Sequence, residues 1–361
     1  MIEALPLLGA NPSSLHADGR AAKDALDEAR ALFAETLGCL FAEVIFTGSG
    51  TEAANQAVVG AALGVTDPAR RRVLLSAAEH HCVLHTQPVL ERLGFTVELI
   101  PVSREGRVEP VVLAELLGPD VAVVAVMHAN NELGTLNPID EIGAQVQACG
   151  ATFVVDAVQT FPWFWAGDME SRPFDVVTFA AHKFGGPPGV GALYIRGGVN
   201  VEPLVRGGGQ ERELRAGTEN VLGIIGAAAA LREARRESDR AELAALRDAF
   251  VNELGPNWQP TVTEADTLPG HAHGRFPGIS ADSMLIRLDG MGISASSGAA
   301  CSSGSIEPSH VMIACGYSES EALEALRFTF GAGSTLAHAQ EAARRIRSAA
   351  DAIYALRRPT G

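Results

Sequence analysis

The sequence predicts an α/β fold built on a mostly parallel, doubly wound sheet. Short β-branched runs alternate with longer helical patterns as far as about residue 240, the rhythm of repeated strand and helix units. One of the runs, Val121–Met127, is apolar throughout, as suits a parallel strand covered on both faces. Polar residues with useful chemistry follow the strands directly, where open α/β sheets bind their ligands.

Taken in order, a helix is expected over Gly19–Leu37. Seven strands follow: Val44–Thr47, Val73–Ser76, Val97–Pro101, Val121–Met127, Thr152–Val155, Val176–Phe179 and Ala192–Ile195. Between them Thr51–Leu63, His81–Leu93, Leu113–Leu117 and Pro138–Ala148 read as helices. Ile224–Leu254 reads as one long helix rich in Ala, Arg and Glu. Beyond it two further strands are expected, Ser283–Leu288 and Leu326–Thr329, and then an amphipathic helix over Ala337–Leu356. The change of pattern divides the chain into a large domain, residues 1–240, and a smaller α+β domain, residues 241–361. The segment up to Ser14 is left free to pack on the smaller one.

The chain has 361 residues and is 47% hydrophobic, long enough to bury its core without covalent staples. A net charge of −15 offers no footprint for nucleic acid or anionic lipid. Its five cysteines, Cys39, Cys82, Cys149, Cys301 and Cys315, are odd in number and lack a CxxC pair, which suits a reducing compartment. No apolar run reaches the roughly 18 residues of a membrane span. These features point to a soluble cytoplasmic protein with small-molecule or protein partners.

The strand ends carry the chemistry. Val44–Thr47 runs into "GSGTEAAN", a small-residue turn that opens a helix at Thr51, and free N–H groups there suit a phosphate. The later strands lead to Glu79 and His80, to His128, Asn130 and Asn131, to Asp156 and Gln159, and to His182 and Lys183. Singly each has a bland reading: a turn, a helix cap, a surface lysine. Together they are what pyridoxal 5'-phosphate needs. A lysine amine forms the Schiff base, and an Asp keeps the pyridine nitrogen protonated. A His stacks on the ring, and a helix start anchors the phosphate. A further stretch, "ASSGAACSSGS" (295–305), places Cys301 in a light loop with no bulky side chain.

The motifs "NPSSLHADGRAA", "FTGSGTEAAN", "EHHCVL", "MHANNELGTLNPI", "VVDAVQ", "AAHKFGGPPGVGALY", "GGGQERELRAGTEN", "SSGAACSSGSIEPSHV" and "LRFTFG" follow one another from Asn11 to Gly331. In this order they resemble the pyridoxal-phosphate-dependent cysteine desulfurases of the NifS/IscS type, within the class-V aminotransferases of fold type I. The resemblance implies that Lys183 carries the cofactor and moves protons, and that His80 stacks on the ring and serves as acid or base. It implies that Asp156 pairs with the ring nitrogen and Gln159 with the ring hydroxyl. Gly50, Thr51 and His182 would line the phosphate. Asn131 and Arg327 would receive the substrate carboxylate. Thr218 would reach the phosphate of a partner subunit, which makes a homodimer. Cys301, as a thiolate, would take sulfur from L-cysteine as a persulfide, leave L-alanine and pass the sulfur to a scaffold or carrier protein for iron–sulfur, thio-cofactor or tRNA biosynthesis.

Three departures accompany the resemblance. The Asp-Asn-x-Ala-Thr-Thr segment that usually precedes the first motif is not in this sequence. A serine that usually bonds the phosphate is Ala180, a lost contact worth about 1 kcal/mol. The usual Gly-Pro-Lys-Gly reads Gly186-Pro187-Pro188-Gly189. Two other readings therefore stand beside the first: a weakened homologue acting as a binding partner in sulfur transfer, and a related cysteine or selenocysteine lyase. A dehydrogenase is disfavoured, because "GVGALY" lacks the third glycine of the dinucleotide fingerprint. A metal site at His80, His81, Cys82 and His85 is disfavoured too, because adjacent histidines do not readily share one face.

Overall fold

The structure is a computed structural model that describes residues 1–2, 10–165, 167–234, 238–298, 307–331 and 333–357. It divides into two compact units. The first comprises Met1–Ile100, Val108–His128 and Asn137–Arg236, and the second Pro101–Arg107, Ala129–Leu136 and Glu237–Gly361.

The first unit is built on a seven-stranded sheet: β1 (Val44–Thr47), β2 (Arg72–Ser76), β3 (Thr96–Ile100), β4 (Val121–Ala125), β5 (Thr152–Asp156), β6 (Val176–Ala180) and β7 (Gly191–Ile195). Their spatial order is β1-β7-β6-β5-β4-β2-β3. β6, β5, β4, β2 and β3 pair in parallel, whereas β7 is antiparallel to both β6 and β1. β1 thus runs in the direction of the other five, and six strands present their carboxyl ends at one edge. All seven lie where the sequence placed them, within one or two residues. Central β4 is buried along its whole length, as its unbroken run of apolar side chains requires, while edge strand β3 is half exposed.

The first helix, Ala17–Leu37, buries Ala22, Leu26, Ala29, Phe33 and Leu37 along one stripe and packs against the helix Val221–Ala234. The same helix carries Arg30, 3% exposed, which makes two hydrogen bonds of 2.7 Å to Glu211. Glu211 also accepts the Phe46 N–H of β1 at 2.9 Å. This anchor holds an unusual piece of backbone, because Glu211, Arg212 and Glu213 have φ of 45°, 56° and 67°, three successive non-glycine residues in the left-handed region.

The second unit has a three-stranded antiparallel sheet, with β8 (Gln259–Pro260) beside β9 (His271–Arg275) and β9 beside β10 (Ala325–Thr329). The helices Ser238–Leu254, Ala281–Gly290 and Leu336–Arg357 pack with it around Phe250, Trp258, Met284, Phe328 and Ile346.

Two expectations are corrected. Ser283–Leu288 is helical, inside Ala281–Gly290; the buried residues Ala281, Met284 and Leu288 recur with helical period, and the apolar run Met284-Leu285-Ile286 had hidden it. The long helix expected over Ile224–Leu254 is helical over Val221–Ala234 and Ser238–Leu254, and residues 235–237 between them lie outside the described residues. His81–Leu93 is two short helices, His81–Leu84 and Gln87–Arg92. The first closes where Thr86 Oγ1 donates to the Val83 carbonyl, and Pro88 starts the second. β9 was not anticipated, since "HAHGR" has neither β-branched residues nor alternation. Among the described residues no helix is long and apolar enough to cross a membrane.

Candidate active site

Four of the carboxyl ends of the first unit's sheet gather the expected residues. After β1, Ser49 caps the helix Gly50–Asn55 by accepting the Glu52 N–H at 3.0 Å. Glu52 in turn accepts the Gly48 N–H at 2.9 Å and the Arg215 Nε–H at 2.8 Å, so the turn is tied on both sides. Gly50 lies against the end of β6: a Cβ there would fall 2.9 Å from the Ala180 Cβ and 3.4 Å from Val158 Cγ2. The close approach needs glycine. It leaves Thr51 exposed at the first turn, where helix N–H groups lack intrahelical partners.

After β2 the chain turns at Glu79 and His80. His80 caps the helix His81–Leu84, its Nδ1 accepting the Cys82 N–H at 3.1 Å and lying 3.0 Å from Cys82 Sγ. An Nδ1 that accepts a backbone N–H places the proton of the neutral ring on Nε2. Glu79 is wholly buried and accepts the Met127 N–H. Burial, and then the neighbouring Asp156 carboxylate, push its carboxyl well above the usual carboxylate range.

β5 ends on Asp156, which is buried and accepts the Val158 N–H at 2.9 Å. Burial raises its carboxyl, and the Val158 N–H and the charge of Lys183 oppose the rise. Gln159, half-buried, lies in the turn that follows. β6 ends at Ala180 and passes into a tight turn, Ala181–Lys183, closed by the Ala181 carbonyl, which accepts from the Phe184 and Gly186 N–H groups. His182 and Lys183 are exposed there. Burial, then the Lys183 charge, lowers the His182 imidazole below its usual value.

His128, after β4, has a different place. Its ring is buried edge-on against Phe164 and Trp165, with Nδ1 3.0 Å from Thr160 Oγ1. Burial drives its pKa down to about 3, so it is a neutral wall residue.

In the second unit, Asn131 and Arg327 come together: Arg327 Nη1 donates to the Asn131 carbonyl at 2.6 Å. Arg327 sits on β10, its backbone paired with Ser296. Thr218 belongs to the first unit and is exposed. Cys301 lies outside the described residues. Glu79 was noted as a strand-end residue without a role, and a second buried acid, Glu132, only as part of a motif; an isolated glutamate in a polar stretch reads as surface, and only tertiary packing reveals its burial.

Tested against pyridoxal phosphate, these residues fit. Asp156 is a buried acceptor beside an amine, and the Gly50 approach is a cradle that a Cβ would fill. The helix opening there suits the phosphate by its N–H groups and by the sign of its dipole.

A family model described as aminotransferase class-V matches residues 3–341. The cysteine desulfurase IscS of Dictyoglomus turgidum is 40% identical over 330 residues, covering 90% of this chain and 83% of that protein. The cysteine desulfurase NifS of Azotobacter vinelandii is 39% identical over 331 residues, covering 90% and 82%. A solved structure of a NifS-like protein superposes with a TM-score of 0.86 at 32% identity, over 96% of this chain and 92% of that one. Motif order, sheet and extent of match agree, and the chain belongs to the class-V aminotransferases, enzymes that work with pyridoxal phosphate.

Proposed function

We propose that the protein is a cysteine desulfurase, converting L-cysteine to L-alanine and handing the sulfur to an acceptor protein. The observation that carries this is Asp156 at the end of β5 and Lys183 in the turn after neighbouring β6, near enough for the amine's charge to act on the carboxyl, in a chain that matches desulfurases over most of its length. When bound, pyridoxal phosphate supplies an electron sink for the carbon skeleton of an amino acid.

The chain's own residues do the rest. Lys183 Nζ would hold the cofactor, and its amine would move a proton at the substrate Cα. Asp156 would keep a proton at the ring nitrogen. His80 would lie against the ring with its proton on Nε2, and Gln159 would bond the ring hydroxyl. Gly50, Thr51 and His182 would seat the phosphate, with Ala180 offering no hydroxyl to it. Arg327, with Asn131 beside it, receives the substrate carboxylate through its bidentate fork. Cys301, outside the described residues, takes the sulfur: the carbon–sulfur bond of L-cysteine breaks, a sulfur–sulfur bond forms, and L-alanine leaves. The enzyme acts as a homodimer in the cytoplasm, Thr218 completing the partner's phosphate site.

The test is to incubate the holoenzyme with L-cysteine and a thiol reductant, and to measure alanine and sulfide for wild type, Lys183→Ala and Cys301→Ala. Wild type should release both in equal amounts, and each variant should lose at least about a hundredfold in kcat. A Cys301→Ala enzyme as fast as wild type would overturn the sulfur-transfer step in favour of a lyase that needs no nucleophile. A wild type that releases neither product would favour the binding-partner reading.

A further inference from the structure

The turn after β4 carries a glutamate that the reaction above does not use. Glu132 lies in the second unit and is 4% exposed. Asn130 Oδ1 accepts the N–H groups of Glu132 and Leu133, each at 2.9 Å, an Asx turn that sets where the Glu132 side chain leaves the backbone. Its Oε2 accepts the Ser309 hydroxyl at 2.5 Å. Ser309 Oγ in turn accepts the Met312 N–H at 3.2 Å, as the cap of the helix His310–Ala314. A hydroxyl has one proton, so with Met312 supplying its own, the Ser309 proton goes to the carboxylate.

Gly298 rests on the same carboxylate. A Cβ at Gly298 would overlap Glu132 Oε2 and fall 3.2 Å from the Ser309 Cβ. The chain between Gly298 and Ser309, which contains Cys301 by sequence, therefore starts and ends on one buried acid. Two residues before Gly298, Ser296 exchanges backbone hydrogen bonds of 2.7 and 3.2 Å with Arg327, whose guanidinium holds the carbonyl of Asn131, next to Glu132. Burying an acid is costly, and an apolar side chain would fill the space at less expense. Burial pushes this carboxyl up to about 7, while Ser309 and the Arg327 charge pull it down. The carboxylate makes a link to Ser309 and Arg327 that an apolar side chain would not.

We propose that Glu132 is a positioning residue for sulfur transfer, fastening both stems of the cysteine-bearing segment to the turn that also holds Arg327. The proposal rests on the desulfurase reading. In it the two ends of the segment that carries the receiving thiol by sequence share one reference point with the group that grips the substrate carboxylate. Without the anchor, substrate still binds at Arg327 but meets the thiol in fewer productive arrangements, which lowers kcat rather than raising KM.

The experiment uses full-length holoenzyme, comparing wild type with Glu132→Ala, Glu132→Gln and Ser309→Ala. Amide hydrogen exchange is followed in peptides containing residues 296–298 and 307–315, beside kcat and KM for L-cysteine. Glu132→Ala and Ser309→Ala should speed exchange in those peptides by about tenfold and leave the large sheet unchanged. The same two variants should lower kcat by about tenfold with KM within about twofold. Glu132→Gln, whose amide oxygen still accepts from Ser309, should stay within about threefold of wild type on every measure. Unchanged exchange in the Glu132→Ala peptides, an equal rise across the large sheet, or a Glu132→Gln protein as impaired as Glu132→Ala would each overturn the proposal. If wild type turns over no L-cysteine, the desulfurase reading falls with its positioning role, whereas the exchange data still decide whether Glu132 anchors the segment.

Discussion

Among single residues, burial sorts groups that look alike in the sequence. Cys39 and Cys315 are thiols whose pKa burial pushes up to about 12, so at pH 8 only about one molecule in ten thousand carries either as a thiolate. Treated with iodoacetamide at pH 8, the native protein should leave both unlabelled by peptide mass spectrometry, and both should label in urea; fast native labelling of either would contradict the packing. Two histidines behave alike: His128 and His273 are buried, and burial lowers each to about 3 from 6.5. Folding keeps them neutral while the unfolded chain takes up a proton below about pH 6.5. Their contribution to stability is therefore full above that value and is lost as the pH falls toward 3, by up to about 1.4 kcal/mol per pH unit for each ring. Their ring resonances should hold a neutral position from pH 8 down to about 4.5, and a midpoint near 6 would refute the burial. The residues of the candidate site were legible as a set, because lysine, aspartate and histidine recur after successive strands although each alone has a bland reading. Glu79 and Glu132 were not, since nothing in "AAEHH" or "NNELG" announces that the acid faces inward.

At the level of elements, the large sheet could be read because its strands are bounded apolar runs and its helices amphipathic. The smaller sheet could not: β9 is polar, its burial supplied by Trp258 and the helices over it, and a helix of the second unit looked like a strand across Ser283–Leu288. The junction of β1 with its helix depends on the Gly50 contact, so Gly50→Ala should push the helix start away from β6. The overlap with Ala180 costs about 1–3 kcal/mol and displaces the N–H groups assigned to phosphate. Titration by cofactor absorbance should show pyridoxal phosphate binding weakened by about tenfold. Wild-type affinity would remove this helix start from the cofactor site.

For the molecule as a whole, the linear order hides which segments cooperate. Residues 101–107 and 129–136 belong to the second unit although the sequence carries them between strands of the first, and no local pattern signals that exchange. The same holds for the contact between the first helix and residues 211–213. Each left-handed non-glycine residue costs roughly 1–2 kcal/mol, and three in a row are offset in part by the buried ion pair of Arg30 with Glu211 and by the Val44 carbonyl, which accepts from Arg212. The turn at residues 211–213 thus leans on a helix nearly two hundred positions away. It is not a portable module: grafted into another scaffold without an arginine supplied from below, the segment would keep its sequence and lose its form.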